Sequence, residues 1–426
     1  MSGAGLSPEQ RLNRISEHGL CIGCGLCQGV AGPERVRMAM TPEGYERPVI
    51  RGALDHETVD RIYDVCPATR IEGLPDALIA PETTVDPVWG PYLRIVLSHA
   101  ADPEVRYKAS TGGVLSALAA YLLDTGRVEF ILHVAAGANP MGGERHVSID
   151  RAGVMQAAGS RYGPAAPLVD IDDILSRGRP FAFIGKPCDV AALRNLARHD
   201  DRVGALCKYM LTPVCGGFME ATAMRGFLAG MEIEERDVTA FRYRGHGCPG
   251  LTRIETADGR VIEKNYLDMW GEDDTAWGLP FRCKVCPDGI GEAADIAASD
   301  TWPGGAPGWE GQDEDEGTNA VLARSPAGLE LMEAAVRDGA LVDAGDIGPR
   351  EMDDYQPHQV KKKLSVWSRY AGLKAAGRLV PEVNRLRIAD LARERSFADN
   401  LAQARGTRQR VRQGRTSEPT PRDGKE

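Results

Sequence analysis

Cysteine spacing is the first chemical signal in this sequence. CIGCGLC sets Cys21, Cys24 and Cys27 at successive spacings of three, and DVCPATR adds Cys66 followed by Pro67. Three close thiols plus a remote Cys-Pro match the way ferredoxin-like segments wrap a four-iron cubane. Thiolates must converge on iron while backbone amides approach the sulfides, and Gly23 and Gly25 permit that approach. A four-cysteine zinc site is the competing reading, although three cysteines in such close succession are unusual for zinc.

A second pair, Cys283 and Cys286, lies in FRCKVCPDGIGEAADIAASDTW. Its partners are expected in the α/β region. Cys188 in IGKPCDV follows a predicted strand and opens a helix, and Cys215 in TPVCGG ends the next strand and precedes another helix. If those strands are parallel neighbours, both thiols emerge on one edge of the sheet, where α/β folds hold ligands. Helix amino termini at Cys188 and just after Cys215 would favour thiolates. The alternative is a zinc-bound CKVC hairpin with two structural cysteines. Of the remaining cysteines, Cys207 starts an apolar strand and suits a core, whereas Cys248 in RGHGCPG could line a site.

Iron–sulfur clusters move one electron at a time, so two of them call for a converter to two-electron chemistry, and a flavin is the obvious candidate. YKASTGGVLSAL offers Lys108, Ser110, Thr111, Gly112 and Gly113 where a helix begins, a geometry suited to a phosphate or the pyrimidine edge of a flavin. GSRYGP brings Ser160, Arg161 and Tyr162 in a turn, and an Arg beside an aromatic can clamp a phosphate and cover a ring. No three-glycine Rossmann fingerprint and no P-loop supports NAD(P) or ATP. No catalytic residue can be named; Lys186, His246 and His358 are candidate proton donors.

These residues need elements to position them, and a mixed α/β fold is expected. Residues 1–90 read as a small ferredoxin-like 4Fe-4S module. Residues 91–350 read as an α/β domain for FAD and the second 4Fe-4S cluster, 351–405 as a helical extension, and 406–426 as a disordered basic tail. Three strand–turn–helix units stand out, at YLRIVLSHA with GGVLSALAAYLLDTG, RPFAFIGKP with CDVAALRNLARH, and KYMLTPVC with GGFMEATAMRGFLAG. FRYRG and LTRIETADGRVIEKNY suggest antiparallel strands. AVLARSPAGLELMEAAVRDGAL suggests a further strand and helix, and SVWSRYAGLKAAGRL a final helix.

The chain has 426 residues, enough for two or three domains, and a formal net charge of −10. Residues 361–426 are basic, so the acidity lies in the body. No apolar run reaches the ~20 residues of a membrane span, and the amino terminus lacks the apolar middle of a secretory signal. A cytoplasmic location follows as an expectation, and ten cysteines in a reducing compartment point to metal or catalysis rather than disulfides.

The combination of CIGCGLC, ASTGG, GSRYGP, GKPCDVAALR, CGG, FRYRGHGCPG and RCKVCPDGIGEAADIAASDTW resembles the beta subunit of the coenzyme F-420-reducing hydrogenases and dehydrogenases, over about residues 15–375. That superfamily includes 7-hydroxymethyl chlorophyll a reductase and the ferredoxin-dependent 8-vinyl reductase. The resemblance implies FAD with one or two 4Fe-4S clusters. It supports Cys21, Cys24, Cys27 and Cys66 as one ligand set and Cys188, Cys215, Cys283 and Cys286 as the other, with ASTGG and GSRYGP near FAD.

The expected function is that of an iron–sulfur flavoprotein oxidoreductase. It would relay electrons between ferredoxin or a partner subunit, the clusters and FAD, and act on a small organic substrate or the deazaflavin coenzyme. The alternative is an electron-transfer subunit of a larger redox complex without its own substrate site. A zinc-stabilised protein using its Arg-rich tail on nucleic acid is disfavoured by the few aromatics in the basic stretch, so no nucleic-acid partner is expected.

Overall fold

The computed structural model describes residues 5–271, 278–311 and 313–424. An eight-stranded mixed sheet forms the centre. Its strands are β1 (Arg94–Ala100), β2 (Phe130–Ala136), β3 (Gly143–Ser148), β4 (Phe181–Ile184), β5 (Cys207–Pro213), β6 (Ile296–Asp300), β7 (Asn319–Ala323) and β8 (Leu341–Asp346), in the spatial order β8-β1-β7-β6-β5-β4-β2-β3. The neighbours β2, β4, β5 and β6 run parallel, while β7 is antiparallel to both β6 and β1. β3 and β8 close the two edges in antiparallel pairs.

Both faces of this sheet are covered, which is why β4 (FAFI) and β7 (NAVLA) are apolar without alternation. Phe181 and Phe183 join one apolar layer with the helices Ile171–Ser176 and Pro187–Leu196. Ala182, between them, joins the other layer with the helices Val114–Asp124 and Pro326–Arg337.

The first two strand–turn–helix units form as the pattern predicts. The third differs, because the helix after β5 begins only at Ala221 and Cys215 therefore does not sit beside a helix amino terminus. Gly217 turns the chain at φ +147 against Leu279, where a Cβ would come within 2.7 Å of the leucine side chain. The central strand β6 is an element the sequence pattern does not announce. Its residues IAASD are small and have weak strand preference, so pairing with β5 and β7 decides their conformation.

The amino-terminal and carboxyl-terminal parts are not separate layers. Leu12, Ile15, Val36, Val59 and Ile62 share one core with Val366, Tyr370 and Leu373 of the helix Pro357–Ala375 and with Leu386 and Ile388. Glu382–Asn384 pairs in parallel with Arg70–Glu72. The tail expected to be disordered from residue 406 is ordered as far as residue 424. The helix Phe397–Arg412 runs through Gly406, and Glu418 then returns to Arg47 in a two-bond ion pair of 2.6 and 2.8 Å. Gly424 N–H donates to the Met40 carbonyl at 3.0 Å. The charged composition that suggests a solvated tail is used here in contacts with the amino-terminal module.

The expected antiparallel strands form a three-stranded sheet of Val238–Arg242, Thr252–Thr256 and Val261–Lys264. Among the described residues no helix is long and apolar enough to cross a membrane.

Candidate functional site

The amino-terminal cysteines lie in a tight turn. Gly23 and Gly25 adopt φ values of +72 and +84, and a Cβ at either would collide with its surroundings, at 2.7 Å from the Glu46 carbonyl oxygen and 2.5 Å from Val169. Cys27 lies in the first turn of the helix Leu26–Ala31, and Cys66 caps the carboxyl end of the helix His56–Val65. Gly23 N–H points to the Cys21 sulfur at 3.4 Å and Ala68 N–H to the Cys66 sulfur at 3.5 Å.

Burial raises all four thiols, Cys66 to about 12. The charges also act on one another: Cys66 and Cys27 on Cys24, Cys21 and Cys66 on Cys27, and Cys21 on Cys66. Four buried thiols that repel each other as anions are a donor set suited to a cationic iron core.

The second set converges from three places on the sheet's edge. The parallel register Leu211↔Ile184 puts the ends of β4 and β5 side by side. Cys188 follows the first in the opening turn of the helix Pro187–Leu196. Cys215 follows the second, and its N–H donates to the Gly289 carbonyl at 2.7 Å, drawing in the CPDG loop.

Cys188, Cys215, Cys283 and Cys286 line one small cavity, together with Ile22, Phe218, Lys186, Arg282 and Lys362. Burial raises Cys188 well above its ordinary value, Cys215 to about 12, and Cys283 more modestly, with the neighbouring thiols adding to each. Among the described residues no group of three or more His, Cys, Asp or Glu is placed to hold a single metal ion. A multi-iron cluster, whose metal atoms lie between the thiolates, asks for wider spacing than one ion does. Cys207 belongs to the core, and Cys248 is buried elsewhere, near Arg244 and Trp302, in neither set.

A larger cleft opens at the carboxyl ends of β4, β5 and β6. Ser110, Thr111 and Gly113 form one wall and Ser160, Arg161 and Tyr162 another. The two stretches bond to each other, with Ser160 N–H donating to Ser110 Oγ at 2.9 Å. Lys108 lies outside: it sits on the helix Pro103–Lys108, half exposed, and pairs with Glu104 at 2.6 Å. Gly112 backs the wall against Thr318 rather than lining the cleft. The Arg161 guanidinium is engaged by the carbonyls of Phe241, Pro140 and Gly142, although its buried Nε has no partner. Of the candidate proton donors, Lys186 and His358 line the cleft. His246 packs edge-on to Tyr107 on an outer loop, with ring centres 5.3 Å apart. Burial lowers the His358 imidazole to about 3, so it stays neutral.

The strongest polar feature of the cleft escaped the sequence reading. Arg244, 3 % exposed, makes two bonds of 3.0 Å to Asp300 at the end of β6, and Thr111 bonds to both partners. The guanidinium lies 4.7 Å from the centre of the Trp302 ring. Tyr162, Tyr266 and Trp270 complete an aromatic group, with Tyr162 and Trp270 4.5 Å apart. Arg244 in FRYRG and Asp300 in ASDTW were visible as motif members, but nothing in their spacing says that they meet. An apolar, aromatic cleft with a few convergent polar groups fits a flavin, whose ring is apolar on its faces and polar on one edge.

Comparison with known proteins places this arrangement. Residues 95–171 match the amino-terminal model of the coenzyme F420 hydrogenase/dehydrogenase beta subunit, and residues 178–344 match its carboxyl-terminal model. The chain is 26% identical over 242 residues to the F420-dependent formate dehydrogenase 1 subunit beta of Methanococcus maripaludis, covering 56% of this chain and 58% of that one. It is 23% identical over 275 residues to the coenzyme F420 hydrogenase subunit beta of Methanosarcina barkeri, covering 60% and 82%. The chain thus spans just under three-fifths of the formate dehydrogenase subunit. The fold is similar to a chain of the F420-reducing [NiFe] hydrogenase complex from Methanosarcina barkeri, with a TM-score of 0.50, 19% identity, and coverage of 66% of this chain and 92% of that one. The chain belongs to the coenzyme F420 hydrogenase/dehydrogenase beta subunit family.

Proposed function

We propose that this protein is an iron–sulfur flavoprotein oxidoreductase, with 4Fe-4S clusters on Cys21, Cys24, Cys27 and Cys66 and on Cys188, Cys215, Cys283 and Cys286, and with FAD in the cleft. One observation carries the reading: Lys186, Cys215, Gly216 and Gly217 line both the second cysteine cavity and the cleft. A wall shared in this way leaves a single turn of chain between a one-electron site and a site for a two-electron cofactor. When bound, FAD would supply exchange between single electrons and a hydride.

The chain's own residues have separable tasks. Ser110, Thr111, Gly113 and Ser160 offer hydroxyls and backbone to the cofactor's polar parts. Tyr162, Tyr266, Trp270 and Trp302 exclude water. Arg244 and Asp300 fix Thr111 and hold a balanced charge pair against the aromatic group. Lys186, paired with Asp189 at 2.7 Å, is a cation that lines both cavities. The substrate would be a small organic molecule or deazaflavin coenzyme F420, and ferredoxin or a partner subunit would exchange electrons with the amino-terminal module.

A second reading, an electron-transfer subunit without its own substrate site, is favoured by the naming of the relatives as beta subunits. Anaerobic purification with iron, sulfide and flavin analysis tests the first point, with about eight iron, eight sulfide and one FAD per chain expected. A colourless product without flavin overturns both readings. Turnover of an organic acceptor by the isolated chain separates the oxidoreductase from the bare electron carrier.

A further inference from the structure

We propose that the carboxyl-terminal helix pair, Pro357–Ala375 and Phe397–Arg412, is the docking surface for a small acidic protein that carries single electrons. The docking stands on surface chemistry alone, whereas the electron exchange it would serve rests on the cluster reading above. Residues 361–426 carry 17 Lys and Arg against 7 Asp and Glu, and the rest of the chain carries 34 against 54. The helix pair lies outside both matched family segments, 95–171 and 178–344.

The helix Pro357–Ala375 holds no Asp or Glu, and the helix Phe397–Arg412 holds only Asp399, which bonds to Ser396. The two helices meet where Ser368 Oγ donates to Asn400 at 2.6 Å and where Gly372 packs on Ala404 and Thr407. Arg405, Arg408 and Arg412 recur at helical spacing on a flank away from those contacts, and all three are exposed. Arg410, Arg415, Lys361 and Lys374 are exposed as well. Among the described residues none of these side chains is in an ion pair. The acids that follow, Glu418 and Asp423, pair instead with Arg47 and Arg51 of the amino-terminal module. Glu394 and Asp399 stand at the opposite end from the arginines.

Two aromatics mark that opposite end: Phe397 is 81 % exposed, and Trp367, next to Ser368, is 49 % exposed. Exposed aromatic anchors beside arginines are the composition of a protein interface. An anionic membrane would meet the acidic body as well, whereas a small carrier meets only the helix pair. The pair also lies over the cysteine sites. Tyr370 Oη donates to the carbonyl of Val285, between Cys283 and Cys286, at 2.9 Å, and Lys362 Nζ to that of Gly216, next to Cys215, at 3.4 Å. Val411 packs against the core that holds Cys21, Cys27 and Cys66. When an electron passes between carrier and cluster, one is oxidised and the other reduced by one electron, with no bond or proton changed.

The test is calorimetry on the full chain, purified anaerobically, with three oxidised acidic carriers as probes: a plant-type 2Fe-2S ferredoxin, a bacterial two-cluster ferredoxin and a flavodoxin. At least one should bind, with an affinity that falls as salt rises. Arg405→Glu combined with Arg408→Glu and Arg412→Glu should weaken that binding about tenfold. Lys361→Glu with Lys374→Glu should weaken it in the same direction, a second readout should the triple variant fail to fold. Arg236→Glu, at a side chain 77 % exposed on another element, should leave it unchanged. Failure of all three carriers to bind, even with binding to phosphatidylserine vesicles or duplex DNA, would overturn the inference. So would an equal loss in Arg236→Glu. A chain that binds a carrier but holds no iron overturns the cluster reading and leaves the docking surface standing, and iron analysis of the same preparation separates the two.

Discussion

The two cysteine sites are built in opposite ways. Three thiols of the first lie within CIGCGLC, and the turn that gathers them is set by Gly23 and Gly25. The second draws on the turn after β4, the extension of β5 and the loop before β6, so its geometry exists only when the sheet is paired. A local site answers to its own loop. A distributed site makes cofactor binding and the fold one problem, because loading it ties three segments together.

Breaking each site in turn gives the largest expected contrast. Cys283→Ser should remove about four irons per chain and also lower flavin content, because Cys215 and its glycines form part of the cleft wall. Cys66→Ser should remove as much iron and leave flavin in place. Equal flavin loss in both variants would erase the distinction.

The cleft offers a second distributed element in Arg244 and Asp300. Asp300→Ala leaves a buried guanidinium without its carboxylate and should cost about 3–5 kcal/mol in urea unfolding, with flavin lost as Thr111 is released. On the local side, Glu418→Ala strands Arg47 beside Cys21, yet the terminal segment can yield and let water in. A loss of about 1–3 kcal/mol is expected, read from the same unfolding curves.

The smallest effect is a pH dependence. Burial, with His146 beside it, lowers His133 to about 4, against an ordinary value near 6.5. As pH falls the unfolded chain binds this proton first. Stability is therefore complete above about pH 6.5 and declines toward about pH 4, by up to about 1.4 kcal/mol per pH unit. His133→Gln should remove this residue's share of the slope between about pH 7.5 and 5.5 and leave that of His18 and His358, which burial also lowers.

Legibility followed the same division. The strands β1, β4 and β5 and the helices that follow the first two could be read because apolar period and turn residues are local, whereas the late start of the helix at Ala221 could not. β6 could not, since IAASD has no pattern of its own and becomes a strand by lying between β5 and β7. Lys108 looked like a ligand in YKASTGG, but helix periodicity carries it to Glu104 and solvent. Arg244 and Asp300 were passed over because a buried ion pair leaves no mark in either segment alone. The basic tail was misjudged on composition, which counts charges without saying that one acid, Glu418, meets a buried arginine.

The sequence by itself determined the close spacing of Cys21, Cys24 and Cys27, the α/β class and the two stretches, ASTGG and GSRYGP, that bond to each other across the cleft wall. Each is a matter of spacing, period or turn chemistry within a few residues. Only the tertiary structure decided that Cys188, Cys215, Cys283 and Cys286 share a cavity, that this cavity borders the cleft, and that Arg282 reaches from it to Pro67. The physical reason is strand register: parallel pairing of β4, β5 and β6 sets which loop ends meet, and that pairing depends on the packing of both sheet faces.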